Sequence, residues 1–157
     1  MSVLLWGAIA FVSAAQEIVY QIGKEITAIN YGDGRMLLYR NNEDQTSLNG
    51  SHRLIDGYHS EYILAEFKDG MYHGSYQHFK NSKLLAECRY EEENKDRMYK
   101  SYYDDGQTVR SERMFIDGKV DGMSRIYHPN GKSKSVAGRK DGRWETLEHY
   151  DSQVNKE

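Results

Sequence analysis

The sequence predicts an all-β chain of serial hairpins. Three observations carry this: turn dipeptides at short intervals, apolar and aromatic runs between them too short for helices, and a repeat near 24 residues. Of the 14 glycines in the 157-residue chain, seven follow Asp (Gly34, Gly57, Gly70, Gly106, Gly118, Gly122, Gly142) and two follow Asn (Gly50, Gly131). Asp-Gly and Asn-Gly reach positive φ readily, so each is a candidate two-residue hairpin turn. The segments Leu84 to Tyr90, Thr108 to Phe115 and Ser124 to Tyr127 have strand length and strand residues. A single Pro and 13 Tyr fit a thin sheet, where a ring packs and its hydroxyl stays wet.

The repeat is read by aligning Gly74 to Phe79, Met98 to Tyr103 and Gly122 to Tyr127. Their final aromatics, Phe79, Tyr103 and Tyr127, are spaced by 24, and Tyr150 follows 23 later. After each of the first three comes a turn (80–82, 104–106, 128–131), then a second strand, with Glu87 to Tyr90 resembling Glu112 to Phe115. A second turn, such as Asp117 to Gly122, closes the unit. A lone hairpin of this length is marginal, so the units must pair edge to edge into one extended antiparallel sheet.

The strings Phe67 to Tyr76 and Phe115 to Met123 resemble the MORN repeat, in particular the variant of the bacterial YwqK-family antitoxins. The resemblance covers about Gly57 to Tyr150 and implies a stacked-hairpin MORN-like sheet with a binding or scaffolding role, or neutralisation of a partner toxin. Departures from the pattern are Ser82 in place of a turn Gly, a charged insertion from Glu91 to Asp96, and Val136 to Asp141 without its aromatic. Those places are expected to be looser or bulged.

The chain divides into a leader (1–15), an N-terminal strand and loop segment (16–56), the repeats (57–150) and a polar tail (151–157). Val3 to Val12 is an apolar run of a length that fits a secretory signal, and Ser13 and Ala15 are small, so cleavage after Ala15 and an exported, periplasmic or envelope protein are expected. Retention of Met1 would instead indicate the cytoplasm. Within 16–56, Asn30 to Arg35 reads as a turn and Arg40 to Ser51 as a polar loop.

A formal net charge of -3 disfavours nucleic acid as partner. Cys88 is the single cysteine, so no intramolecular disulfide forms, and it reads as a small core residue. The six histidines read as exposed turn and strand-edge residues; His73 and His78, five apart on a strand, point to opposite faces. No nucleophile elbow, phosphate-binding glycine loop or zinc motif is present in the sequence, so neither enzyme activity nor a cofactor is expected. A hydrolase with a site invisible to motifs is the lower alternative. A protein partner is expected, with a glycan or membrane surface next. Phe79, Tyr103 and Tyr127 are assigned to packing between hairpins, whereas His78, Tyr102 and Trp144 are the candidate partner-binding face, with His78 and Tyr102 opposite the phased aromatics.

Overall fold

The computed structural model describes residues 18–29, 38–56, 60–91, 94–116, 118–140, 143–150 and 153. The expected leader, the turn at 30–35 and all of the tail but Gln153 lie outside these residues. The described chain contains strands and no helix: β1 (Ile18–Ile22), β2 (Ile26–Ile29), β3 (Leu38–Asn41), β4 (Gly50–Asp56), β5 (Glu61–Lys68), β6 (Met71–Lys80), β7 (Lys83–Glu91), β8 (Asn94–Tyr102), β9 (Val109–Ile116), β10 (Lys119–Tyr127), β11 (Ser133–Lys140) and β12 (Arg143–His149). They form one open sheet in the order β12-β11-β10-β9-β8-β7-β6-β5-β4-β1-β2-β3. From β4 to β12 every neighbour is antiparallel and next in sequence.

Turn chemistry explains the hairpins. Lys68 pairs with Met71 and Lys80 with Lys83, leaving two residues between each pair of strands. Asp69 and Gly70 have φ of 53° and 82°, and Asn81 and Ser82 of 49° and 61°. Positive φ at both central residues is the primed turn whose twist suits a hairpin. Ser82 therefore fills the role of the expected Gly without loosening the turn. Glu91 pairs directly with Asn94, and Asn94 to Asp96 belong to β8, so the described residues of the expected insertion at Glu91 to Asp96 are strand.

The irregularity lies one step further, inside the strands. Register shifts recur opposite Glu66, Cys88 and Met114, where Gly74, Arg97 and Gly122 adopt φ of 79°, 63° and 77°. Gly122 is thus a β-bulge within β10, not part of a turn as expected. Bulges absorb an extra residue and strengthen local twist. Gly74 holds φ of 79°, which strains any L side chain, and a Cβ there would also push the Glu66 carboxylate aside.

The N-terminal segment departs furthest from expectation. β1 lies parallel to both β4 and β2, so the sheet is not antiparallel throughout. The stretch read as a polar loop, Arg40 to Ser51, places Leu48 in the core at 4% exposure and begins β4. The Tyr39 N–H donates to the Gly70 carbonyl, and the Gly70 N–H to that of Leu48, tying β3 back to the β5–β6 turn. This fold-back buries Ile26, Tyr39, Leu48, Leu54, Ile63, Phe67 and Tyr72 together. Tyr39 packs 5.4 Å from both Phe67 and Tyr72, and its hydroxyl lies 2.8 Å from that of Tyr72. His52, expected to be exposed, is buried between Tyr20 and Phe67.

Arg97→Gly should stabilise the protein by about 0.5 to 1 kcal/mol, because the left-handed region strains an L-residue and not glycine. Gly74→Ala should cost about 1 to 3 kcal/mol. Denaturant titration reads both. Burial, and the neighbouring Tyr39, raise the Tyr72 pKa above its ordinary 10.0, and burial likewise raises Tyr76 and Tyr90. A raised folded-state pKa contributes stability that is complete below the unfolded value and lost as pH climbs above it. Thermal melts should therefore hold to about pH 10 and fall steeply beyond it.

Candidate functional site

Strand alternation gives the sheet two faces, and the register assigns each side chain to one of them. One face, the capped face, carries the fold-back of β1–β3 at its N-terminal end and continues along the row Ile63, His78, Ala86, Ser101, Ser111 and Ile126. Buried Cys88 lies on this face, and burial pushes its thiol up to about 11, which suits a core residue.

The second face is organised in three rows crossing the strands. An aromatic row runs through Tyr62, Phe79, Tyr102 and Tyr127, with Tyr62 and Phe79 stacked at 4.8 Å. Beside it lies a polar row, Gln77, Glu87, Lys100, Glu112 and Arg125. The Tyr102 hydroxyl donates to Glu87 at 2.6 Å and the Tyr127 hydroxyl to Glu112 at 2.7 Å. Lys100 Nζ lies 3.5 Å from Glu112. A third row carries Ser75, Arg89, Met98, Met114 and Met123.

Between the second and third rows runs a shallow groove. One stretch of about 290 Å³ is lined by Met98, Glu112, Met114, Gly122, Met123 and Arg125. An adjoining stretch of about 350 Å³ shares Met98 and adds Ser75, Gln77, Glu87, Arg89 and Lys100. The bulge at Gly122 brings no side chain into the groove. Met123 is 46% exposed, and Ile116, on the same side of β9 as Met114, is 53% exposed. Methionine is unbranched and polarizable, so such a floor adapts to the shape laid on it.

The register corrects the assignment of the aromatics. His78 and Ser101 both pair with Ala86, which makes Tyr102, not Tyr103, the counterpart of Phe79. Tyr102 and Tyr127 each close a strand and each bond the glutamate fifteen residues back. Tyr103 matches His128 instead: each donates its N–H across the following loop, to Thr108 and Lys132. The Tyr103 hydroxyl then donates to the Tyr127 carbonyl at 2.6 Å, linking one repeat to the next. The true intervals between Phe79, Tyr102, Tyr127 and Tyr150 are 23, 25 and 23.

The three residues singled out from sequence do not form one site. Tyr102 lies on the second face, in the row of the phased aromatics from which it was expected to be separated. His78 lies on the capped face, with Nε2 3.0 Å from Glu61 Oε2, and Lys80 bonds the other oxygen of that carboxylate. Trp144 in β12, 45% exposed, pairs with Arg139 of β11 and sits six strands from β6, thus roughly 29 Å away. The groove methionines escaped sequence reading because their strands differ and only the bulged register aligns them. The available signal was the recurrence of Met near the repeat glycine, as in Gly122-Met123.

No family model matches the chain, and no curated protein sequence matches it. Among solved structures, a mutant of S. aureus TarM in complex with fondaparinux, alpha-GlcNAc-glycerol and UDP is similar over 78% of this chain and 21% of that one, at 14% identity and a TM-score of 0.27.

Tyr102→Phe should cost about 1 to 2 kcal/mol through loss of the bond to Glu87, and Tyr103→Phe about 1 kcal/mol through the unpaired Tyr127 carbonyl. Unfolding midpoints of the two variants, compared with the wild type, test the revised register.

Proposed function

We propose that the chain is a non-enzymatic binding or scaffolding module of MORN-like hairpin repeats that works in the cell envelope and receives a protein partner on the second face of its sheet. The observation that carries this reading is the methionine groove. It is open and shallow, apolar along its floor and charged along one wall, which suits a protein surface better than an enclosed small substrate. Glu87 and Glu112, the carboxylates nearest the groove, are each held in place by a tyrosine hydroxyl. The envelope location rests on the uncharged, apolar start of the sequence.

The test is affinity capture from the envelope fraction with the wild type and with Met114→Glu, whose carboxylate would stand on the groove floor. Loss of the captured protein, at about tenfold or greater weakening and with an unchanged unfolding midpoint, is the expected outcome. Equal capture by the folded variant would remove the groove from the reading. The mature protein should begin within a residue or two of Gln16, and an intact mass retaining Met1 on a cytoplasmic protein would overturn the location.

A further inference from the structure

The polar row of the second face has a symmetry that points to its occupant. Glu87, Lys100, Glu112 and Arg125 sit directly opposite one another on the consecutive strands β7, β8, β9 and β10. The signs alternate, minus, plus, minus, plus, about one strand spacing apart. Read backwards, the row is plus, minus, plus, minus. A copy of the row turned end for end therefore meets it with opposite signs at every position.

We infer that a second copy of this chain docks face to face on the second face, about a two-fold axis that runs along the strands between β8 and β9; this rests on reading that face as a binding surface. Under this operation Glu87 faces Arg125 of the other copy, Lys100 faces Glu112, and both contacts occur twice. A two-fold running across the strands would keep the order of the row and set like charges against each other, so the pattern selects one axis. In the neighbouring row the same operation brings methionines together at the axis and sets Arg89 of one copy beside Met123 of the other, where the aliphatic stem of the arginine lies against the thioether. Met98 and Met114, paired across β8 and β9, flank the axis, so each methionine meets the other type in the partner copy. At the edges Ser75 meets Gly138, two small residues that permit approach of the twisted sheets. An isologous contact of this kind demands a self-complementary patch, and here the charge row supplies it, with the Met98 and Met114 pair at the axis. Packing two sheets across such faces gives a sandwich with Met98 and Met114 at its centre and the exposed Met123 covered by the arginine stem of the other copy.

Sedimentation velocity and light scattering of the purified full chain, from low to high micromolar concentration, should show a monomer–dimer equilibrium that weakens as salt is added. Arg125→Glu, an exposed change that sets two new like-charge pairs in each dimer, should raise the dissociation constant about tenfold or more. Glu87→Arg should do the same, and the double exchange Glu87→Arg with Arg125→Glu should restore dimerisation. If Glu87→Arg does not fold, the Arg125→Glu and salt measurements decide alone. A chain that stays monomeric throughout, or a dimer indifferent to Arg125→Glu, overturns the proposal. A monomer that still loses its envelope partner on Met114→Glu would overturn the dimer and leave the groove as a binding surface.

Discussion

An open single-layer sheet has almost no interior, so the whole molecule depends on cross-strand pairing between neighbours. Each hairpin is marginal alone and gains from the pairs it makes with the units on either side. Tyrosine suits this constraint because one ring packs against a neighbouring strand while its hydroxyl reaches a second partner. Tyr102 with Glu87, Tyr127 with Glu112 and Tyr103 with the Tyr127 carbonyl each bind one strand or repeat to another. The same device closes the N-terminal end, where Tyr39 and Tyr72 share a hydrogen bond inside the only cluster of buried residues described.

Edge-to-edge growth leaves the first unit exposed on one side, and the fold-back of β1–β3 answers that. The parallel strand β1 completes the pairing of β4, after which β2 and β3 return to the β5–β6 turn. Burial of Ile26 and Leu54 at 0% exposure shows where this end gets its hydrophobic stabilisation. Towards β12 the side chains are far more exposed, and that end is held by the pairing ladder of β11 with β12.

The bulges decide what the faces present. At each left-handed position three residues stand opposite one, so the register moves by two and the side chains beyond it keep their faces. The pattern recurs: left-handed residues at Gly74, Arg97 and Gly122, and a second set of smaller register shifts near the ends of β6, β8 and β10. Because the shifts repeat in each unit, rows survive across many strands. The alternating charges and the methionines line up for that reason, and the self-complementary surface follows from it.

The sequence by itself determined the fold class and the hairpin order, because both arise from local chemistry: Asp-Gly and Asn-Ser sequences turn the chain, and the runs between them are strand-length and aromatic. It also marked the glycines at 74 and 122, though not that they bulge within strands. The register was beyond its reach. Tyr102 and Tyr103 are adjacent identical residues, and a spacing of 24 fits either one, whereas the real intervals of 23 and 25 reflect loops of unequal length after β6 and β8. Only the tertiary structure decided between them, since side-chain direction in a sheet depends on which residue of the neighbouring strand lies opposite. For the same reason the parallel docking of β1, the burial of Leu48 and His52, and the meeting of Met98, Met114 and Met123 on one face were settled by contacts between residues distant in the chain.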